Sequence, residues 1–274
     1  MTDSTYVAAM TGADRGQGKL PLGVGSIIGD SFSILFRKFL TVMGLSAGPM
    51  VLSFLASGLL IGWDMTLQGE PTEFTDISGA FWTKYALVVV VQMAIYGITT
   101  ALLVQLAYDA KLGSRRTFGQ YLSPALSAAL PIVVLMIATM LLVSLGSLAL
   151  IVPGLWLYAV FSVTTPAIVI ERAGFRGMGR SATLTKDYRW PILGTLFLVL
   201  LLTFVLTFVM QFIVGMVIGA VGTAGAGIVI GIVIMALLQS IALGLSSIAA
   251  ALIFARLKEI KEGVSVDQLA AVFD

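Results

Sequence analysis

Charge is missing from six long stretches of this 274-residue chain, and that pattern leaves few folds open to it. The stretches run from Phe39 to Gly62, Tyr85 to Tyr108, Pro131 to Val152, Leu155 to Ile170, Pro191 to Gly219 and Ala226 to Ala255. A bilayer core of about 30 Å is crossed by roughly 20 apolar residues in a helix. Backbone polar groups in hydrocarbon must be satisfied internally, which a helix achieves along its own length. The pattern therefore predicts an all-α polytopic membrane protein with six transmembrane helices. Leu155 to Ile170 is short for a span, and the Pro153-Gly154 pair predicts a tight turn that makes it the second arm of a hairpin with the third span. The last two stretches exceed one bilayer thickness and are expected to tilt or to extend beyond it.

Orientation follows from where the cations fall, since Lys and Arg collect in cytoplasmic connections. All but one of the 16 Lys and Arg residues lie on alternate connections, from Arg15, Lys19, Arg37 and Lys38 through to Arg256, Lys258 and Lys261. Lys84 alone falls on the other side, beside an acidic loop that holds Asp64, Glu70, Glu73 and Asp76. Both termini are thereby expected in the cytoplasm. The four Trp residues sit at span edges, where amphipathic rings favour the headgroup level. Residues 1–21 read as a polar cytoplasmic tail and not as a signal peptide, 22–255 as the membrane domain and 256–274 as a second cytoplasmic tail.

Composition narrows the chemistry. The chain is 58% hydrophobic and 11% charged, against about 25% charged in soluble domains. Net charge is only +2, and its split between the two sides points the basic residues at lipid headgroups and away from nucleic acid. There is no Cys and no His, so disulfides, thiolate sites and the commonest general base and metal ligand are all excluded. None of the six stretches holds a charged residue, whereas buried ionisable groups mark proton and ion pathways. The acidic loop is too short to fold a pocket of its own and reads as solvated. No catalytic residue, metal ligand or cofactor is expected, and the chain is read as a non-enzyme.

Three amphipathic segments precede the odd-numbered spans. Val24, Ile27, Ile28, Phe32, Leu35 and Phe36 recur at helical spacing before the first. Phe118, Tyr121, Leu122 and Ala125 do so before the third, and Phe175, Met178, Ala182 and Trp190 before the fifth. The expected unit is an interfacial cytoplasmic helix followed by a membrane hairpin, repeated three times. In the third unit Arg176, Arg180, Lys186 and Arg189 are expected to face anionic headgroups, where each basic residue contributes about 1 kcal/mol. Small residues at spacing four, such as Gly44 and Gly48 or Gly215 and Gly219, are expected to let helices approach closely. Within the spans Gln92, Gln105, Thr164, Thr165, Gln211 and Gln239 have two readings, as interhelical hydrogen bonds or as the lining of a polar cavity. Pro166 is expected to kink the fourth span, with Thr164 or Thr165 satisfying the freed carbonyls.

The run Ile151, Val152, Pro153, Gly154, Leu155, Trp156 and Leu157, followed by Pro166, Glu171, Gly179, Arg180, Ser181, Leu184, Thr185, Lys186, Arg189 and Trp190, resembles the bacterial YciC-like membrane proteins. It is similar too to the membrane domain beside some glycerophosphoryl diester phosphodiesterases. The chain departs from that pattern near Asp187, where a Gly is expected. In those enzymes, the resemblance implies, chemistry resides in a separate soluble barrel that uses His and metal-binding carboxylates, so the activity does not carry over to a chain without His. The expectation is a bacterial inner-membrane protein that organises membrane or binds anionic phospholipid, a membrane-protein partner or a second copy of itself. The other reading is a transporter or carrier of a lipid or lipophilic small molecule.

Overall fold

Alternating amphipathic and uniformly apolar helices carry the whole architecture. A computed structural model describes residues 21–68, 79–114, 117–221 and 225–263, and among these no strand occurs. Residues 1–20, most of the acidic loop, Arg115, Arg116 and 264–274 lie outside the described residues. The helices are α1 (Val24–Arg37), α2 (Phe39–Ile61), α3 (Trp63–Gln68), α4 (Gly79–Leu112), α5 (Phe118–Ser127), α6 (Ala129–Ala149), α7 (Ile151–Phe161) and α8 (Thr164–Ile170). A 3-10 turn (Gly174–Arg176) leads into α9 (Gly177–Thr185), which is followed by α10 (Arg189–Val221) and α11 (Ala226–Glu262).

Six helical segments are long and apolar enough to cross a membrane: α2, most of α4, α6, α7 with α8, the first part of α10, and α11. They pair in sequence as three antiparallel hairpins, α2 with α4, α6 with α7, and α10 with α11. An amphipathic helix precedes each, so the sequence of amphipathic helix and apolar hairpin occurs three times. In α1 the stripe Ile27, Ser31, Ile34 and Leu35 is buried against α11. In α5, Tyr121 and Ala125 are buried, and the Gln120 side chain accepts a hydrogen bond from the Thr117 N–H at 2.8 Å, a capping contact that fixes the helix start.

The centre of the molecule is α11. From Ser240 to Leu257 most of its residues are buried, including Leu243, Leu245, Ile248, Leu252, Ile253 and Phe254, and it packs on α1, α2, α4 and α10. Gly244 permits the approach of the first unit. A Cβ there would stand 2.8 Å from Val42 Cγ1 and 3.2 Å from Leu35 Cδ1.

Several boundaries differ from the sequence reading, for physical reasons. Pro153 and Gly154 do not form the turn; the chain reverses at Leu150, whose backbone is extended, and Pro153 occupies the first turn of α7, where its missing N–H costs nothing. The fourth span therefore has 20 residues instead of 16. Gly154 is needed for contact, because a Cβ on it would lie 1.9 Å from Ser147 Oγ and 2.9 Å from Ser147 Cα across the hairpin. Helix α11 continues past Ala255 to Glu262, so Arg256, Lys258 and Lys261 are helical and not part of a tail. Helix α4 likewise extends to Leu112 and carries Asp109, which is buried at the basic end of its span. Of the glycine pairs, Gly44, Gly48, Gly215 and Gly219 face open space, whereas Gly58 lies against the Trp63 ring, and the other close approaches between elements fall at Gly97, Gly146, Gly154, Gly177 and Gly244.

Candidate functional site

The fourth span is broken where Pro166 dictates. Proline has no N–H and crowds the carbonyl four residues before it, here that of Ser162. Helix α7 ends at Phe161 and α8 restarts at Thr164. Carbonyls at a helix end need other partners. The Val160 carbonyl finds them on α9, accepting a hydrogen bond from Ser181 Oγ at 2.7 Å, while Thr185 Oγ1 at 3.2 Å shares its one proton between this carbonyl and the Ser181 carbonyl at 2.9 Å. Thr164 and Thr165, the expected donors, do not serve this carbonyl. Close contact between α9 and the break requires Gly177, where a Cβ would lie 2.5 Å from Ile168 Cγ1. Gly177, Ser181 and Thr185 thus form one small face at spacing four. Residues 171–190 run as a strap along the fourth span, held at one end by Glu171 and Arg180 and at the other by Arg189 over the Trp156 ring, 5.2 Å from its centroid.

Beside the break lies a cavity of about 870 Å³ between α4, α6, α7, α8, α10 and α11. Its walls are largely apolar, with Met93, Leu135, Leu196, Leu200, Phe204 and Leu243 among them, and no Asp, Glu, Lys or Arg lines it. Hydroxyl-bearing residues line it from every side, and six of them divide into two groups. Thr100, Ser162 and Ser246 bond carbonyls of their own helices at 2.8, 2.9 and 3.0 Å, as Ser and Thr in helices commonly do. Thr164 Oγ1, Thr203 Oγ1 and Ser247 Oγ are buried and have no hydrogen-bond partner within the protein.

No protein-family model, curated protein or solved structure matches this chain. What the site can do rests on its own geometry.

The six polar residues singled out in the spans separate accordingly. Thr164 and Thr165 line the cavity. Gln105 is buried and donates to the carbonyls of Ala101 and Tyr121 at 3.2 and 3.1 Å, tying α5 to α4. Gln92 donates to Ser57 Oγ at 2.7 Å and joins α4 to α2. Gln211 and Gln239 are exposed, and neither lines the cavity. Sequence reasoning missed Thr203 and Ser247; the only signal was a hydroxyl in a helix otherwise built of Leu, Phe and Val, or in one of Ala and Gly.

The four basic residues of the strap separate as well. Arg176 and Lys186 are exposed. Arg180 forms a two-pronged ion pair with Glu171, Nε to Oε2 at 2.6 Å and Nη2 to Oε1 at 2.8 Å, and a further one with Glu262 on α11. Lys258 reaches Glu171 at 3.1 Å and Glu262 at 3.9 Å. Two acids and two cations thus compensate one another in a half-buried cluster. Burial pushes the Glu171 carboxyl up, but the hydrogen bonds and charges of Arg180 and Lys258 outweigh it and hold the group below the ordinary carboxylate value. Lys261 adds a bond to the Thr183 carbonyl at 3.0 Å, and Arg256 one to the Pro21 carbonyl at 3.3 Å. Arg189 lies half-buried against Trp156, which itself meets Trp190 edge-on at 5.4 Å.

Proposed function

We propose that this multi-pass protein binds a lipophilic molecule in the cavity beside the broken fourth span, acting as a carrier or transporter of a lipid-like compound. The cavity itself carries this reading. Its volume falls in the usual range for ligand sites, roughly 300–1,000 Å³, and its lining combines apolar walls with a few convergent polar groups. A charged substrate would meet no countercharge there. A lipophilic one gains contact with Leu135, Leu196, Leu200 and Phe204.

Filling the cavity tests the reading. Thr139→Trp with Val143→Trp places two indoles in the space without touching the ion cluster or the strap. Native mass spectrometry of protein purified in mild detergent should show the co-purifying lipophilic species lost from the variant, with thermal stability retained. An unchanged complement of bound species would sink the proposal.

A second reading, the binding of anionic headgroups at the protein surface, is favoured by one observation. Arg176 and Lys186 are exposed on the strap together with Phe175 and Trp190, a combination of charge and apolar anchor suited to a lipid interface. The indole pair leaves these residues untouched. Anionic lipid that survives cavity filling therefore belongs to this surface.

We place the basic end on the cytoplasmic side of a bacterial inner membrane, supported by the bias of Lys and Arg to that end. The chain has no Cys, so single cysteines report cleanly. Lys84→Cys and Lys186→Cys both replace exposed side chains. On intact cells a membrane-impermeant maleimide should label position 84 and spare position 186. The reverse pattern would invert the orientation.

A further inference from the structure

Arginine at position 172 stands where the backbone favours other residues. Its φ of 55° is left-handed, a conformation uncommon outside glycine and several-fold enriched in Asn, Asp and His. Among the described residues the other non-glycine case is Asp187, which belongs to that enriched group. Arg172 does not, and backbone strain of this kind gathers at positions that serve function.

The surroundings of Arg172 supply the function. It lies in the turn after α8 and lines a surface pocket of about 320 Å³ formed with α5, the start of α6, α8 and the 3-10 turn at Gly174. Pro124, Pro131 and Ile168 give the pocket apolar walls, Ser123 and Ser127 bring hydroxyls, and no Asp or Glu lines it. Arg172, Ser123 and Ser127 are all exposed, so a ligand can reach them.

The charge of Arg172 is also uncompensated. Its side chain has no ion pair or hydrogen bond among the described residues, and the carboxylate beside it in sequence, Glu171, is already engaged by Arg180 and Lys258. Exposed apolar side chains flank the pocket in sequence: Leu126 on α5, Leu130 on α6 and Phe175 after the turn. Such side chains set an amphipathic surface at the headgroup level of a bilayer.

We propose that this pocket binds the phosphate of an anionic phospholipid, with Arg172 as its countercharge, Ser123 as a hydroxyl donor and the apolar walls against the glycerol and upper acyl chain. This gives the surface reading above a defined site and rests on that reading. A guanidinium offers phosphate several donors in one plane, and a serine hydroxyl adds a rotatable one. A free phosphate ester would satisfy the same polar groups; the apolar flanks favour the lipid. The volume lies at the lower end of ligand sites, roughly 300 Å³, which is room for a headgroup and not for a whole lipid.

The test titrates dioleoylphosphatidylglycerol into delipidated full-length protein and reads binding by native mass spectrometry. Arg172→Asn should weaken binding by about tenfold, the scale of one charge-assisted contact. Thermal stability in detergent should not fall, because Asn tolerates the left-handed backbone and the deleted side chain bonds nothing in the protein. Ser127→Trp fills the pocket without changing charge and should weaken binding to a similar extent. Arg176→Gln with Lys186→Gln removes twice the charge from the strap, yet should weaken binding by less than Arg172→Asn does. Millimolar glycerol phosphate should leave the bound lipid in place; displacement would assign the pocket to a free phosphate ester and overturn the proposal. Wild-type binding by Arg172→Asn and Ser127→Trp, or a loss that follows only the number of charges removed, would overturn it as well and leave the surface reading standing. If the Arg176 and Lys186 pair then also binds like the wild type, the surface reading falls with it.

Discussion

Glu171→Gln is expected to lower stability by about 1–3 kcal/mol, the range for hydrogen bonds to charged groups, after allowance for a cluster still partly open to solvent. The loss arises because Arg180 and Lys258 both converge on this carboxylate, and a neutral amide leaves two half-buried cations facing one remaining acid, Glu262. The acid dependence gives the sharper readout. A carboxyl whose folded value lies below its unfolded value contributes stability that is complete above the unfolded value, about 4.3, and is lost as pH falls through the folded one. Thermal unfolding in detergent between pH 3 and 7 should therefore show a decline at the acid end in the wild type that is shallower in Glu171→Gln. Parallel curves would mean that the cluster contributes nothing to folding.

Ser181→Ala combined with Thr185→Val should cost about 2–4 kcal/mol, since it removes both donors to the Val160 carbonyl and leaves that carbonyl buried without a partner. Either change alone should cost well under half of that, the surviving hydroxyl keeping one bond to the carbonyl. This non-additivity separates a shared acceptor from two independent contacts. A double variant as stable as the wild type would show that the break at Ser162 and Val163 is satisfied in some other way.

The architecture was legible because hydrocarbon imposes two constraints that show directly in a linear sequence: long apolar runs, and the exclusion of charge from them. The three units were legible for a related reason, since Ile27, Ile34 and Leu35 keep the helical period that burial against α11 demands. The hairpin turn was misplaced because Pro-Gly is equally at home in a turn and in the first turn of a helix. Only the Ser147 contact distinguishes the two at Gly154.

The site was far less legible. Glutamine is the most conspicuous polar residue in an apolar helix, yet Gln92 and Gln105 are spent on neighbouring helices and Gln211 and Gln239 point away from the cavity. Serine and threonine hide their polarity in their own helix, so nothing in the sequence separates Ser246, which bonds Ala242, from its neighbour Ser247, which bonds nothing. Arg180 carried a basic pattern that suited headgroups, and its second partner, Glu262, lies 82 residues away. Local spacing does not register a pair that distant.

The placement of α11 at the centre has a consequence for how the protein is made. Val42 and Leu35 meet Gly244 across about 200 residues of chain. At roughly 5–20 residues per second, the ribosome reaches Gly244 on the order of 10–40 s after the first span has emerged. Throughout that interval the faces of α2 and α4 that will clasp α11 have no permanent neighbour, and lipid or the insertion machinery must cover them. The axis arrives after the helices it organises, and α1, α2, α4 and α10 are each inserted in advance of the surface they pack on.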